Sequence, residues 1–181
     1  DENNLAENTI IIFSSDNGPE NTWPERRKKY DHASNGIFRE GKRSIYEGGH
    51  RVPFFVRWPA MVEGGSSWNQ PVSQNDVIAT LAEVVRTELR VDAAEDSVSF
   101  RPALTGSAQS SKGLPIVHHD GSGLFAIREG KWKLVMESKS KKETKRELYD
   151  LSVDPSETSD LINKHPDVEA RLVDSLTEIV R

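Results

Sequence analysis

The 181-residue sequence predicts an α/β fold, and three stretches carry that prediction. Ile10, Ile11, Ile12 and Phe13 form an unbroken apolar run of the kind a parallel sheet buries on both faces. Val77, Ile78, Leu81, Ala82 and Val85 fall on one face at helical spacing. Near the C-terminus, apolar segments at 124–128 and 132–136 flank Glu129-Gly130-Lys131, a hairpin signal.

Each element follows in order. Residues 1–7 are a polar lead-in to a strand over 8–13, closed by Ser14, Ser15, Asp16, Asn17 and Gly18. In open α/β sheets ligands sit at the carboxyl ends of strands. There, an Asp16 carboxylate beside an Asn17 carbonyl offers hard oxygen ligands suited to Ca²⁺ or Mg²⁺ rather than zinc. Asp-Asn-Gly is equally a common turn. Residues 18–40, rich in Pro, Asn, Arg and Lys without steady periodicity, read as a long loop with room for one short helix. Loops of that length in compact domains are functional or disordered, and this one lies between two candidate motifs, where it would line a cleft.

Residues 51–57 read as a second strand, with Pro53 near its start, where a missing donor is tolerated. A helix begins near Ser73, its N-cap, with Asp76 three residues on. Residues 87–113 form an irregular connection, and a boundary near 110 divides the chain into 1–110 and a small α+β unit at 111–181. His118-His119 fall in a polar loop before the hairpin. A third strand at 147–151 is broken by Asp154-Pro155-Ser156, and Pro166 suits the first turn of a closing helix. That helix buries Val168, Leu172, Leu176, Ile179 and Val180. Three strands and one helix make a thin layer that must pack on something larger.

A hydrophobic content of 35% and a charged content of 29% are ordinary for a soluble domain. The net charge of −5 argues against nonspecific binding to nucleic acid or anionic membranes. Basic runs at 26–29 and 139–146 are interspersed with acids and read as solvated loops. The absence of cysteine excludes disulfides, and no apolar run is long enough to span a membrane.

The stretch from Asn8 to Gly18, followed by Gly41-Lys-Arg-Ser-Ile-Tyr-Glu-Gly-Gly-His-Arg-Val-Pro53, resembles the type I, formylglycine-dependent sulfatase family of the alkaline phosphatase superfamily. The resemblance continues through 72–81, 96–106, 125–134 and 147–158, so it covers nearly the whole chain. It implies the C-terminal part of an alkaline-phosphatase-like α/β sandwich, plus a small antiparallel sheet packed with a C-terminal helix. It implies that Asp16 and Asn17 are two ligands of a divalent cation, usually Ca²⁺ in this family, with Mg²⁺ possible. Lys42 matches the catalytic, sulfate-binding lysine; the plain alternative is a surface lysine. His118 and His119 stand where family members shape the substrate pocket, and Trp23 is the aromatic residue best placed to touch substrate. Tyr46, Glu47, Gly48, Gly49 and Arg51 read as scaffold, Glu47 and Arg51 as a local ion pair, and His50 has no assigned role.

The family's nucleophile motif, Cys/Ser-x-Pro-x-Arg, does not occur in this sequence, so its formylglycine would lie upstream. The chain therefore reads as the closing portion of a longer sulfatase, inactive alone for want of a nucleophile. Two ligands out of the six to eight that Ca²⁺ takes imply weak calcium binding. The implied partner is a sulfated small molecule or glycan, the implied location is the periplasm or the cell exterior, and the exposed apolar surface of a part-protein implies self-association. Two other readings stay open: part of a phosphodiesterase or phosphonate hydrolase of the same superfamily, and a non-catalytic truncated module.

Overall fold

A computed structural model describes residues 2–107, 114–137 and 145–180. The basic run at 139–146 lies mostly outside the described residues. In chain order the elements are β1 (Ile11–Ser14), α1 (Trp23–Tyr30), α2 (Glu47–His50), β2 (Phe54–Arg57), α3 (Asp76–Val84), α4 (Arg101–Thr105), β3 (Ile116–His119), β4 (Leu124–Glu129), β5 (Trp132–Glu137), β6 (Arg146–Asp150) and α5 (Pro166–Ile179). They form two compact units, one of Asp1–Ser14 with Phe54–Leu114 and one of Ser15–Pro53 with Pro115–Arg181. Among the described residues no helix is long and apolar enough to cross a membrane.

The first unit corrects the expectation of a parallel, doubly buried first strand. β1 pairs antiparallel with β2, Ile11 opposite Arg57 and Ser14 opposite Phe54. Side chains alternate across a strand, so one face carries Ile10, Phe54 and Val56 onto a core of Trp58, Phe100 and Leu104. The other face leaves Ile11, Phe13 and Phe55 more than half exposed. An apolar run signals burial but carries no information on strand direction.

Ser73 and Asp76 do meet, although the N-cap is Asn75, two residues later than expected: the Asp76 carboxylate accepts the Ser73 N–H at 2.7 Å and the Val98 N–H at 2.9 Å. Thr80, buried mid-helix, donates to the Asp76 carbonyl and accepts the Phe100 N–H, so no polar atom there is stranded. Val77 and Val84 face the core, whereas Ile78, Leu81 and Val85 form an exposed row. α3 is therefore apolar on two sides, and the helical spacing alone did not say which side this unit covers.

The second unit holds a meander in the order β3-β4-β5-β6, all antiparallel. The strand at β3 was not expected; Ile116-Val117 is too short an apolar stretch before two histidines to show a period of two. One sheet face carries Ile127, Leu134 and Leu148 against Leu172 and Leu176 of α5. Each such buried leucine contributes roughly 1.5–3 kcal/mol. Val168 and Val173 join that contact, while Ile179 and Val180 remain 46% exposed, contrary to the predicted stripe.

The opposite sheet face is built of a different alternation, Arg128 opposite Lys133 and Lys133 opposite Tyr149, with Ala126 and Val135 between. Ile45 and Tyr46 pack on it with Leu151. The segment around α2 thus closes the polar side of the sheet as α5 closes its apolar side.

Candidate active site

The turn at residues 15–18 is held from within and from across. Ser15 Oγ donates to the Asn17 carbonyl, and Asn17 Nδ2 donates to the Gly18 carbonyl, both at 2.9 Å. The Gly18 N–H donates to the Gly49 carbonyl at 2.9 Å. A Cβ on Gly18 would collide with the Gly48 carbonyl, and one on Gly48 with the carbonyls of Arg39 and Glu40. The glycines are where the chain needs backbone against backbone.

The lysine motif is tied to the same turn. The Lys42 N–H donates to the Pro19 carbonyl at 2.8 Å, and Gly41 lies so close to Trp23 that a Cβ there would stand 2.8 Å from the ring. Trp23 thereby packs on the Lys42 loop. Lys42 Nζ is 3.2 Å from Glu20, whose carboxylate also meets Arg43 at 3.0 Å. The Asn21 backbone N–H, then Lys42, hold the Glu20 carboxyl down at about 2. Asp16 itself is exposed. The two motifs, some two dozen residues apart in sequence, are stitched together by main-chain hydrogen bonds.

The histidine pair is split. Successive residues of β3 point to opposite faces, so His118 turns inward and His119 outward, against Phe125 at 4.5 Å between ring centres. His118 stacks on His50 at 3.6 Å. Burial first, and the Lys133 ammonium second, hold His50 down at about 3 and His118 down at about 4, so both rings are neutral near pH 7.

Beneath them lies a buried charge cluster that the sequence did not announce. Lys133, fully buried, sits 2.8 Å from Glu157 Oε1, 3.1 Å from Glu47 Oε1 and 3.2 Å from His50 Nε2. Glu157 Oε2 accepts the Glu47 N–H at 2.6 Å. Arg51 and Arg128 flank Glu47 at 3.4 and 3.6 Å, the first being the ion pair expected from the sequence. Burial pushes both carboxyls up. For Glu47, the Lys133 ammonium and the Arg128 guanidinium outweigh it and hold the group below its ordinary value; for Glu157 burial wins, with Glu47 a like charge beside it.

Arg39 braces the base of the lysine loop, its guanidinium 3.5 Å over the Tyr46 ring and donating to Tyr149 Oη and the Glu157 carbonyl. Tyr46 and Tyr149 both donate to Glu147 Oε2 at 2.7 Å.

The sequence is 37% identical, over 97% of its length, to an N-acetylgalactosamine-6-O-sulfatase of Bacteroides thetaiotaomicron. The family model described as Sulfatase matches residues 1–87. A solved structure from work on the metabolism of multiple glycosaminoglycans by the same organism superposes on it with a TM-score of 0.82, at 36% identity, over 97% of this chain and 39% of that one. The chain belongs to the sulfatase family. An arylsulfatase of Hemicentrotus pulcherrimus is 39% identical over 74% of this sulfatase chain and 23% of its own length. The chain spans 37% of the length of the Bacteroides relative.

The oxygens at 16 and 17 would suit a hard cation in kind. The hydrogen bond from Asn17 Nδ2 to Gly18 leaves Oδ1 as the amide atom that could face one, beside an exposed Asp16 carboxylate. In number they are too few to enclose one, and among the described residues no group of three or more His, Cys, Asp or Glu side chains could hold a metal.

Proposed function

We propose that the protein containing this chain hydrolyses sulfate esters with the help of a divalent cation. In this reading Asp16 and Asn17 ligate the cation, and Lys42 binds the sulfate group as a catalytic residue. The observation that carries it is the pair of main-chain bonds Gly18 to Gly49 and Lys42 to Pro19, which gather a carboxylate, an amide oxygen and an ammonium into one loop cluster.

The chemistry follows from those groups. A sulfate ester carries anionic oxygens, and a preorganised ammonium stabilises charge on them in a water-poor site. To do so Lys42 must exchange Glu20 for the substrate; the partly exposed pair they form is weak enough to yield. A bound divalent cation, Ca²⁺ or Mg²⁺, supplies further charge neutralisation. The nucleophile, a formylglycine, belongs to a segment upstream, and this chain alone is inactive.

The substrate is a sulfated glycan, favoured because the relative aligned over 97% of the chain is named for a sulfated amino sugar; a small aryl sulfate is the competing class. His118 and His119 serve the substrate side, with His118 fixed by its stack on His50 and His119 free to approach solvent. Residues 1–110 belong to the large domain and 111–181 to a C-terminal subdomain. The protein acts in the periplasm or outside the cell, and the isolated chain self-associates.

The test is hydrolysis by the full-length protein of a 6-sulfated amino sugar, an aryl sulfate and a phosphate diester. Sulfate-ester turnover that falls about 10²–10³-fold in Lys42→Ala, and comparably in Asp16→Ala, is the expected result. Preference for the phosphate diester, or full sulfate-ester activity in either variant, sinks the reading.

A further inference from the structure

We propose that Lys133 is a positioning residue for the cation-binding turn, acting through Glu157, Glu47 and the paired glycines. The inference rests on the reading of Asp16 and Asn17 as cation ligands.

A buried ammonium is costly unless paired and hydrogen-bonded, and Lys133, the second residue of β5, is fully buried. Its two carboxylate partners come from far apart in the chain: Glu47 heads α2, and Glu157 follows β6. Glu157 takes the left-handed region, φ 54°, rarely adopted by residues other than glycine. Strain of that kind persists only where surrounding contacts enforce it, and here one oxygen is fixed by Lys133 and the other by the Glu47 N–H. That N–H is among the orphan donors at the start of α2, so Glu157 caps the helix across the fold.

From Glu47 the path is short. Gly48 and Gly49 follow directly, the Gly49 carbonyl receives the Gly18 N–H, and Asn17 and Asp16 precede Gly18. The Gly48 N–H donates to the Arg39 carbonyl at 2.9 Å, tying in the loop that carries Lys42. One ammonium thus sets the head of the glycine pair against which the ligand turn is built. An apolar trio could fill the same volume with no loss of stability; what the ion cluster adds is a single permitted geometry.

The experiment compares Lys133→Met with Leu148→Ala in the full-length protein, by calcium titration calorimetry and by deuterium uptake in peptides spanning 14–20. Leu148 lies on the opposite, α5-facing side of the same sheet, so its truncation loosens the sheet without touching the path. The expected result is that Lys133→Met weakens Ca²⁺ binding about 10–100-fold, the range typical of outer-shell partners, and raises uptake at 14–20. Leu148→Ala lowers the melting temperature and leaves Ca²⁺ affinity within about twofold. Equal losses in the two variants at matched melting temperature, or unchanged affinity and uptake in Lys133→Met, overturn the proposal. Should Lys133→Met not fold, Glu157→Gln replaces it under the same two outcomes, because it keeps the side-chain volume and weakens the ion pair. A wild-type protein that binds no Ca²⁺ and cleaves no sulfate ester sinks the proposed function instead; uptake at 14–20 then still decides whether Lys133 positions the turn.

Discussion

At the residue scale, the contact between Gly18 and Gly48 fixes how closely the two loops approach. Because any Cβ at either position meets a carbonyl oxygen of fixed backbone, Gly48→Ala should destabilise the chain by about 1–3 kcal/mol or more in urea unfolding. Gly64 has no heavy atom within 4 Å of where its Cβ would stand, so Gly64→Ala should shift the midpoint by far less. Asp16, Asn17, Lys42 and the glycine pair stand out as candidates in the sequence because they are a local pattern of residue types, and the structure brings their loops together through the Gly18 to Gly49 and Lys42 to Pro19 main-chain bonds. Lys133 and Glu157 do not stand out, since ion pairs spanning large sequence separations leave no local trace. The available signal was a lysine at an inward position of an alternating strand, between Trp132 and Leu134, which face α5.

At the scale of elements, the hairpin of β4 and β5, strand β6 and helix α5 appear close to where turn residues and apolar spacing put them. β3 escaped because two histidines occupy half of it. The direction of β1 escaped because pairing is a long-range property. The stacked His50 and His118 make the packing of α2 on this sheet sensitive to acid. Lys133, Arg128 and Glu47 face the pair, and both rings fold neutral with values near 3 and 4 against an ordinary 6.5. The unfolded chain therefore takes up protons first as pH falls, so stability is complete above about 6.5 and is lost progressively toward pH 4. Urea midpoints at pH 7 and pH 5 should differ more in the wild type than in a His50→Gln/His118→Gln variant. Equal differences would clear the histidines of that role.

Across the whole molecule, the surface of the first unit is its unfinished part. Ile11, Phe13 and Phe55 stand in a row on the outer face of β1 and β2, and Ile78, Leu81 and Val85 along α3. Exposed apolar rows of this kind mark surfaces that associate. Phe13→Ser/Phe55→Ser should shift the isolated chain toward monomer in analytical ultracentrifugation, while an unchanged distribution would assign any association to another surface. The second unit raises a matter of timing. Its two pieces, Ser15–Pro53 and Pro115–Arg181, leave the ribosome with the whole of Phe54–Leu114 between them. Glu47 and the Glu157 carboxylate that caps it are 110 residues apart, roughly 5–20 s of synthesis. Gly48 and Gly49 are translated long before the carboxylate that fastens them, and a nascent chain interrupted before Glu157 holds the glycine pair without its clasp.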